Sequence, residues 1–186
     1  MVRMSCSGLA LSALLLASSP ASSQPAPAQA GAAREAAGLA LGQVRPMTVA
    51  FAKRLVAAAI KATCSPPAGS CSGAFAIADD AGVIIYLEAL DGVLAGGPEL
   101  AIKKAKTSAL WRRPTQAFLD SVNKGTNTSY ADGSFPDMTT SPGGVPLLRD
   151  GRIVGGFGQA AVGSNAAVKQ VSDAVAAEAA RLFGRQ

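Results

Sequence analysis

Two stretches of this chain read as β-hairpins, and helical patterns stand before, between and after them. The first hairpin joins residues 73–78 to the β-branched run 83–88 through Asp79-Asp80-Ala81-Gly82, where Gly82 is free to take a positive φ. Asp91-Gly92 closes it. The second leads from residues 142–148 through the tight turn Arg149-Asp150-Gly151 and returns over residues 152–157. Thr48 caps a helix that runs to about Thr63, with Val49, Leu55, Ala59 and Ile60 at helical spacing. Pro98-Glu99 opens a helix through about Trp111. Its Leu100, Ile102, Ala105 and Leu110 are expected to face the core, while Lys103, Lys104 and Lys106 mostly face away. Pro114 ends that helix and starts a short one to about Val122. Ser164 or Asn165 caps a last helix through Phe183, with Val168, Val171, Val175 and Ala179 on one face. Consecutive hairpins favour an antiparallel sheet over alternating parallel units, so the class is α+β with helices covering the sheet faces.

The side chains available for the core are small. Apolar residues make up 49% of the chain and charged ones 16%, which excludes a wholly disordered protein, yet aromatics are only 5%. With 20 glycines, close approaches of backbone to backbone must replace bulk. Gly155-Gly156-Phe157-Gly158 has the wrong spacing for a dinucleotide fingerprint and reads as close packing of a strand on a helix. Residues 123–141 are polar and irregular, and a long loop in a small domain is often functional.

The N-terminus reads as an export signal. Arg3 supplies the positive start, residues 8–18 an apolar stretch too short for a stable bilayer span, and Ala21 and Ser23 a cleavage site before Gln24. Cleavage after Ala28 or Ala30, or retention as an anchor, are the alternatives. Residues 1–23 are thus the signal peptide, 24–46 a flexible lead and 47–186 the folded domain. The expected location is periplasmic or secreted, with no stable membrane insertion after signal removal. Cys6 leaves with the signal, and the remaining pair, Cys64 and Cys71, flanks a turn sequence. In an oxidising compartment that pair is expected to form a disulfide between the first helix and the first strand. Without histidine, two cysteines cannot complete a usual zinc set. The net charge of +5 comes with no long basic run and little aromatic interleaving, which argues against nucleic acid and suits small anionic ligands.

No standard catalytic set is present, since a chain with no histidine has no Ser-His-Asp or Cys-His arrangement. Asn127-Thr128-Ser129 matches a glycosylation sequon, a pattern common by chance. Two blocks carry more information: residues 101–115 (AIKKAKTSALWRRPT), and Pro142-Gly143-Gly144-Val145-Pro146 with Arg149-Asp150-Gly151 and residues 154–158 (VGGFG). Together with the first hairpin, in this order and spacing, they resemble the GlcG/HbpS family of heme-binding-like domains over about residues 47–183. The resemblance implies a profilin-like fold, a five-stranded antiparallel sheet flanked by helices in α/β/α layers, and a homo-oligomer. The family's best-described branch is exported and binds heme, while other members are cytoplasmic. The signal-like N-terminus selects the exported branch, so the expectation is a non-catalytic protein that binds a small ligand, with heme or a related tetrapyrrole as the cofactor.

On that reading Trp111, Arg112 and Arg113 line a pocket for a flat anionic ligand, with Lys106 adding charge. The alternative for Trp111 and the arginines is a helix-end pair beside a core tryptophan. Thr115 occupies the family's position near the ligand, or simply caps the short helix. Gly143 and Gly144 let backbone approach a ligand or a neighbouring subunit, or form a plain turn. Heme iron is usually held by His, Cys, Met or Tyr, so Tyr130 and Met138 in the irregular loop are the iron candidates, while Tyr86 lies on a strand. A second function class is an enzyme or accessory factor for a small organic acid. There Arg113 and Lys106 hold the carboxylate, and Asp79, Asp80, Asp137 or Tyr130 transfers a proton.

Overall fold

The computed structural model describes residues 47–66, 68–130, 135–160 and 162–184. The signal peptide and the lead before residue 47 lie outside the described residues. Thr48 caps α1 (Val49–Thr63) by accepting a hydrogen bond from the Phe51 N–H at 3.2 Å. Cys64 ends the helix and is bonded to Cys71, with the two Cα atoms 4.1 Å apart, so the disulfide ties α1 to the approach to β1 (Ala74–Asp79). The chain continues through β2 (Ile84–Ala89), α2 (Gly97–Leu110), α3 (Thr115–Asn123), a 3-10 turn at Thr128–Tyr130, β3 (Gly144–Arg149), β4 (Arg152–Ala160) and α4 (Asn165–Phe183).

The strands form one antiparallel sheet in the order β2-β1-β4-β3. The two hairpins meet at the centre, where Ala74 pairs with Ala160 and Asp79 with Gly155. The sheet has four strands among the described residues, not the five that the family resemblance implies. The residues between β2 and α2 are used up in turns closed by Val93 N–H to Leu90 O and Gly97 N–H to Leu94 O. The approach to β3 carries Pro136 and Pro142, which have no N–H for a ladder.

The strand pleat separates two unlike cores. Phe75, Ile77, Val154 and Phe157 point to one face, where α1 and α4 cover them with Leu55, Val56, Val171 and Val175. Phe75 and Phe157 stack with centroids 6.4 Å apart. Ala74, Ala76, Ala78 and Ala160 point to the other face, under Ala101, Ala105 and Ala109 of α2.

That second interface corrects the expected face of α2. Leu110 is half exposed, Leu100 and Ile102 only partly buried, and Lys104 is buried. Glycine is the reason. A Cβ on Gly158 would stand 2.1 Å from the Ala101 carbonyl oxygen, and one on Gly156 2.3 Å from that of Ala105. The helix backbone rests on the bare strand, so only small side chains fit between them, and the branched ones turn outward. Val49 of α1 is likewise about half exposed, at the helix's first turn, and Ile60 is half-buried.

Candidate functional site

The end of α2 is where the chain gathers aromatic rings. Trp111 terminates the helix and Arg112 follows with φ of +55°, a left-handed conformation that glycine usually supplies. That residue reverses the chain so that Arg113 and Pro114 lead into α3. Trp111 then meets Phe118 of α3, Tyr130 of the 3-10 turn and Phe135, with centroids 5.9, 6.1 and 5.1 Å away and rings edge to face. Phe118 and Tyr130 close the group at 5.0 Å. Four of the nine aromatic side chains of the chain sit here. The Arg113 guanidinium lies 4.9 Å from the centre of the Phe118 ring, a cation–π contact.

Beside the cluster is a cleft of about 200 Å³, lined by Thr107, Leu110, Trp111, Phe135, Asp137 and Met138. The Thr107 hydroxyl oxygen accepts from the Thr139 N–H at 3.0 Å and holds the Met138 segment against α2. Trp111 and Phe135 are each more than a third exposed, so the rim offers flat apolar surface to solvent. Trp111, Arg113, Tyr130 and Met138 are therefore brought together. Lys106, half-buried on α2, and the exposed Arg112 do not line the cleft.

Gly143 and Gly144 belong elsewhere. They line a larger cavity of about 510 Å³ between the start of α3, the start of β3 and the first turns of α4. Thr115 is buried behind it and its Oγ1 accepts from the Gly144 N–H at 2.9 Å. Pro114, not Thr115, occupies the cap position of α3, so the threonine joins α3 to β3 instead of capping. Gly144 also lets β3 approach α2 closely: a Cβ there would be 2.6 Å from the Lys104 carbonyl oxygen.

Lys104 carries no sequence signal of burial, because a lysine flanked by Lys103 and Lys106 reads as part of a solvated face. Its Nζ donates to the Gln159 carbonyl oxygen at 2.8 Å, and burial lowers its pKa to about 8. The proton-transfer candidates scatter. Asp79 is buried and its Oδ1 accepts from the N–H groups of Ala81 and Val83, which fixes the β1–β2 turn. Asp80 is exposed, Asp137 lines the aromatic cleft and Tyr130 sits in the aromatic cluster; Tyr86, the tyrosine on β2, donates to Glu88 at 2.8 Å. The Glu88 carboxylate that takes this bond also raises the Tyr86 pKa. Among the described residues no group of three or more His, Cys, Asp or Glu could hold a metal ion.

Known proteins share this architecture. Protein GlcG of Escherichia coli K12 is 36% identical over 87 residues, a match covering 47% of this chain and 63% of GlcG. The matched stretch is thus less than two thirds of that relative's length. The structure of the PduOC:heme complex superposes with a TM-score of 0.61 at 25% identity, covering 71% of this chain and 94% of that one. Klebsiella pneumoniae protein ORFY gives 0.61 at 18% identity, over 75% of this chain and 92% of its own, and this likeness bears on the fold alone. A double mutant of Streptomyces reticuli HbpS gives 0.60 at 24% identity, over 70% and 85%, with the same bearing. The model of the family described as "Haem degrading protein HbpS-like" matches residues 47–180, and the chain belongs to that family.

Proposed function

We propose that this protein binds heme or a related tetrapyrrole without transforming it, on the open face of the aromatic cluster. The observation that carries the reading is the gathering of Trp111, Phe118, Tyr130 and Phe135 beside Arg113 in a chain otherwise poor in aromatics. The chemistry fits. A macrocycle presents an apolar face for Trp111 and Phe135, and anionic propionates for the Arg112 and Arg113 guanidinium groups. Met138 in the cleft wall and Tyr130 in the cluster are side chains of ligand type beside the surface where such a ring would lie. Family membership and the heme-bound PduOC neighbour support the same ligand.

The cleft of about 200 Å³ is below the range of roughly 300–1,000 Å³ usual for pockets that engulf their ligands. On this reading the macrocycle lies across the rim and is not engulfed by the cleft. Export to the periplasm or medium accords with the signal-like N-terminus and with the Cys64–Cys71 disulfide. Hemin titration of the purified chain tests the reading. A saturable Soret band is expected, shifted when Met138→Leu or Tyr130→Phe alters the iron's surroundings and weakened in Arg113→Gln. A featureless titration overturns it.

A further inference from the structure

The two edges of the sheet differ in what they offer. In an antiparallel pair the backbone groups of successive residues turn alternately toward the partner strand and away from it. Just before β3, Gly143 O takes the Gln159 N–H of β4, so the Gly144 and Pro146 positions turn outward. The Gly144 N–H donates to Thr115 Oγ1 at 2.9 Å, and Pro146 has no N–H. From Gly144 to Pro146 that edge presents no free donor, a usual protection of an outer strand.

β2 has no such protection. Tyr86 and Glu88 pair with Ile77 and Phe75 of β1, and the Leu90 N–H donates to Gly73 O at 2.9 Å. These positions face β1, so the N–H and C=O groups of Leu87 and Ala89 face outward. Those four groups have no partner among the described residues. The strand carries neither proline nor lysine, and the irregularity in its pairing lies at its start, opposite Ile77 and Ala78.

Water reaches apolar side chains all along this edge. Leu87 is 38% exposed, Val83 just before the strand 50% and Leu94 in the turns after it 75%. Leu87 pairs with Ala76 and so lies on the α2 face of the sheet. On the α1 face Tyr86 donates to Glu88, and Lys53 Nζ of α1 lies 5.8 Å from the centre of the Tyr86 ring. One face of the edge thus carries a cation and a carboxylate, and the other a leucine.

We propose that β2 is the docking edge for a second copy of this chain, the two strands running antiparallel about a two-fold axis at Leu87 so that two four-stranded sheets become one. The register follows from the alternation. Leu87 faces outward, so it meets Leu87 of the partner subunit and the two exchange both N–H···O bonds. Tyr86 then stands opposite the partner's Glu88, and the reciprocal pair forms across the axis. Lys53, over the Tyr86 ring, gains the partner's Glu88 as a counter-charge. On the other face the two leucines cover each other. The end of each strand meets the start of the other, which brings the turn carrying Leu94 beside the partner's Val83. Moving the axis to Ala89 would set Glu88 against the partner's Leu90 and lose the charge pairing. A basic or an acidic peptide laid on this edge would satisfy only one of Glu88 and Lys53, whereas a second copy satisfies both.

Sedimentation of the purified chain without hemin tests this. The wild type is expected to dimerise reversibly. Leu87→Lys and Leu87→Glu each set like charges opposite each other at the axis and should weaken the dimer by about tenfold or more, while an equimolar mixture of the two should restore it. Leu148→Lys, at an exposed position on β3, should change nothing. Leu87→Cys should form a covalent dimer on mild oxidation, because a hydrogen-bonded pair holds its Cα atoms about 5.5 Å apart, within reach of a disulfide. Leu148→Cys should not. Leu87 is exposed and its N–H is not used by β1, so the fold does not depend on it; restoration in the mixture also shows that both charged variants are folded. A wild type that stays monomeric at every concentration, an assembly untouched by either charged variant, a mixture no tighter than either variant alone, or loss of the dimer in Leu148→Lys overturns the proposal. The dimer does not rest on the heme reading. A featureless hemin titration leaves it standing, and a monomeric chain leaves that titration to be judged by itself.

Discussion

Substituting Gly158 by Ala places one methyl group between β4 and α2, and the cost can be worked from the geometry. The new Cβ would lie 2.1 Å from Ala101 O, 2.4 Å from Ala105 N and 3.0 Å from Lys104 Cβ. Two of these are backbone atoms of a helix and cannot rotate away. Contact at ordinary separation requires α2 to lift by about 1 Å, and a gap of that size forfeits roughly a quarter to a half of each dispersion contact. The lifted helix carries Ala101, Ala105 and Ala109, all buried, and loosens the Ser108 hydroxyl's bond to the Phe157 carbonyl oxygen. Overpacking costs about 1–3 kcal/mol where side chains absorb the strain. With backbone on both sides, about 3–4 kcal/mol is expected. For a domain of this size that lowers Tm by roughly 10 °C. Urea unfolding followed by circular dichroism reads the difference. Gly92→Ala is the control: its Cβ meets nothing within 4 Å and only its φ of +76° resists, so its cost should stay at about 1–2 kcal/mol. A Gly158→Ala cost under about 1 kcal/mol would refute the account of the helix resting on bare strand.

Three further outcomes follow from the same structure. Reducing Cys64–Cys71, or replacing both by Ser, frees a loop with a sequence separation of 7 and should destabilise the domain by about 2.5 kcal/mol in chemical unfolding. Lys104 has a folded pKa of about 8 against an ordinary 10.5, so between those values the unfolded chain binds the proton more tightly. Wild-type stability should therefore gain up to about 3 kcal/mol, relative to Lys104→Met, as pH rises from 8 to 10.5; a flat difference contradicts it. Asp79→Ala should cost about 1.5–3 kcal/mol by orphaning the Ala81 and Val83 N–H groups, while Asp79→Asn, which keeps an acceptor oxygen, should cost much less.

The elements were legible because their signals are local. Thr48, Gly82 and Ser164 stand where a cap or a positive φ is needed, and the four strand segments were each marked by β-branched runs or turn residues. The glycines of β4 read as a helix contact, but their consequence for α2 is not visible in α2's own residues. A hydrophobicity pattern points Leu100 and Leu110 inward, whereas a helix in backbone contact with a strand buries its smallest residues, and Lys104 with them. The fifth strand came from the family likeness and not from any residue signal.

Which candidate residues lie together was half legible. Trp111, Arg113, Tyr130 and Met138 were named for their chemistry, and the turn at Arg112 places them together. Gly143, Gly144 and Thr115 were assigned to the same ligand, yet they border a separate cavity. Separating those groups requires knowing that α3 starts against β3, a long-range contact with no local pattern.

The central claim is that the aromatic cluster is where a tetrapyrrole binds. Hemin titration of the wild type beside Trp111→Ala, Arg113→Gln and Lys169→Ala, read at the Soret band, tests it most directly. The account predicts saturable binding in the wild type, loss of about tenfold or more in affinity for the Trp111 and Arg113 variants, and no change for Lys169→Ala at the rim of the other cavity. Wild-type affinity retained in the Trp111 and Arg113 variants, or lost in the Lys169 variant instead, would contradict it.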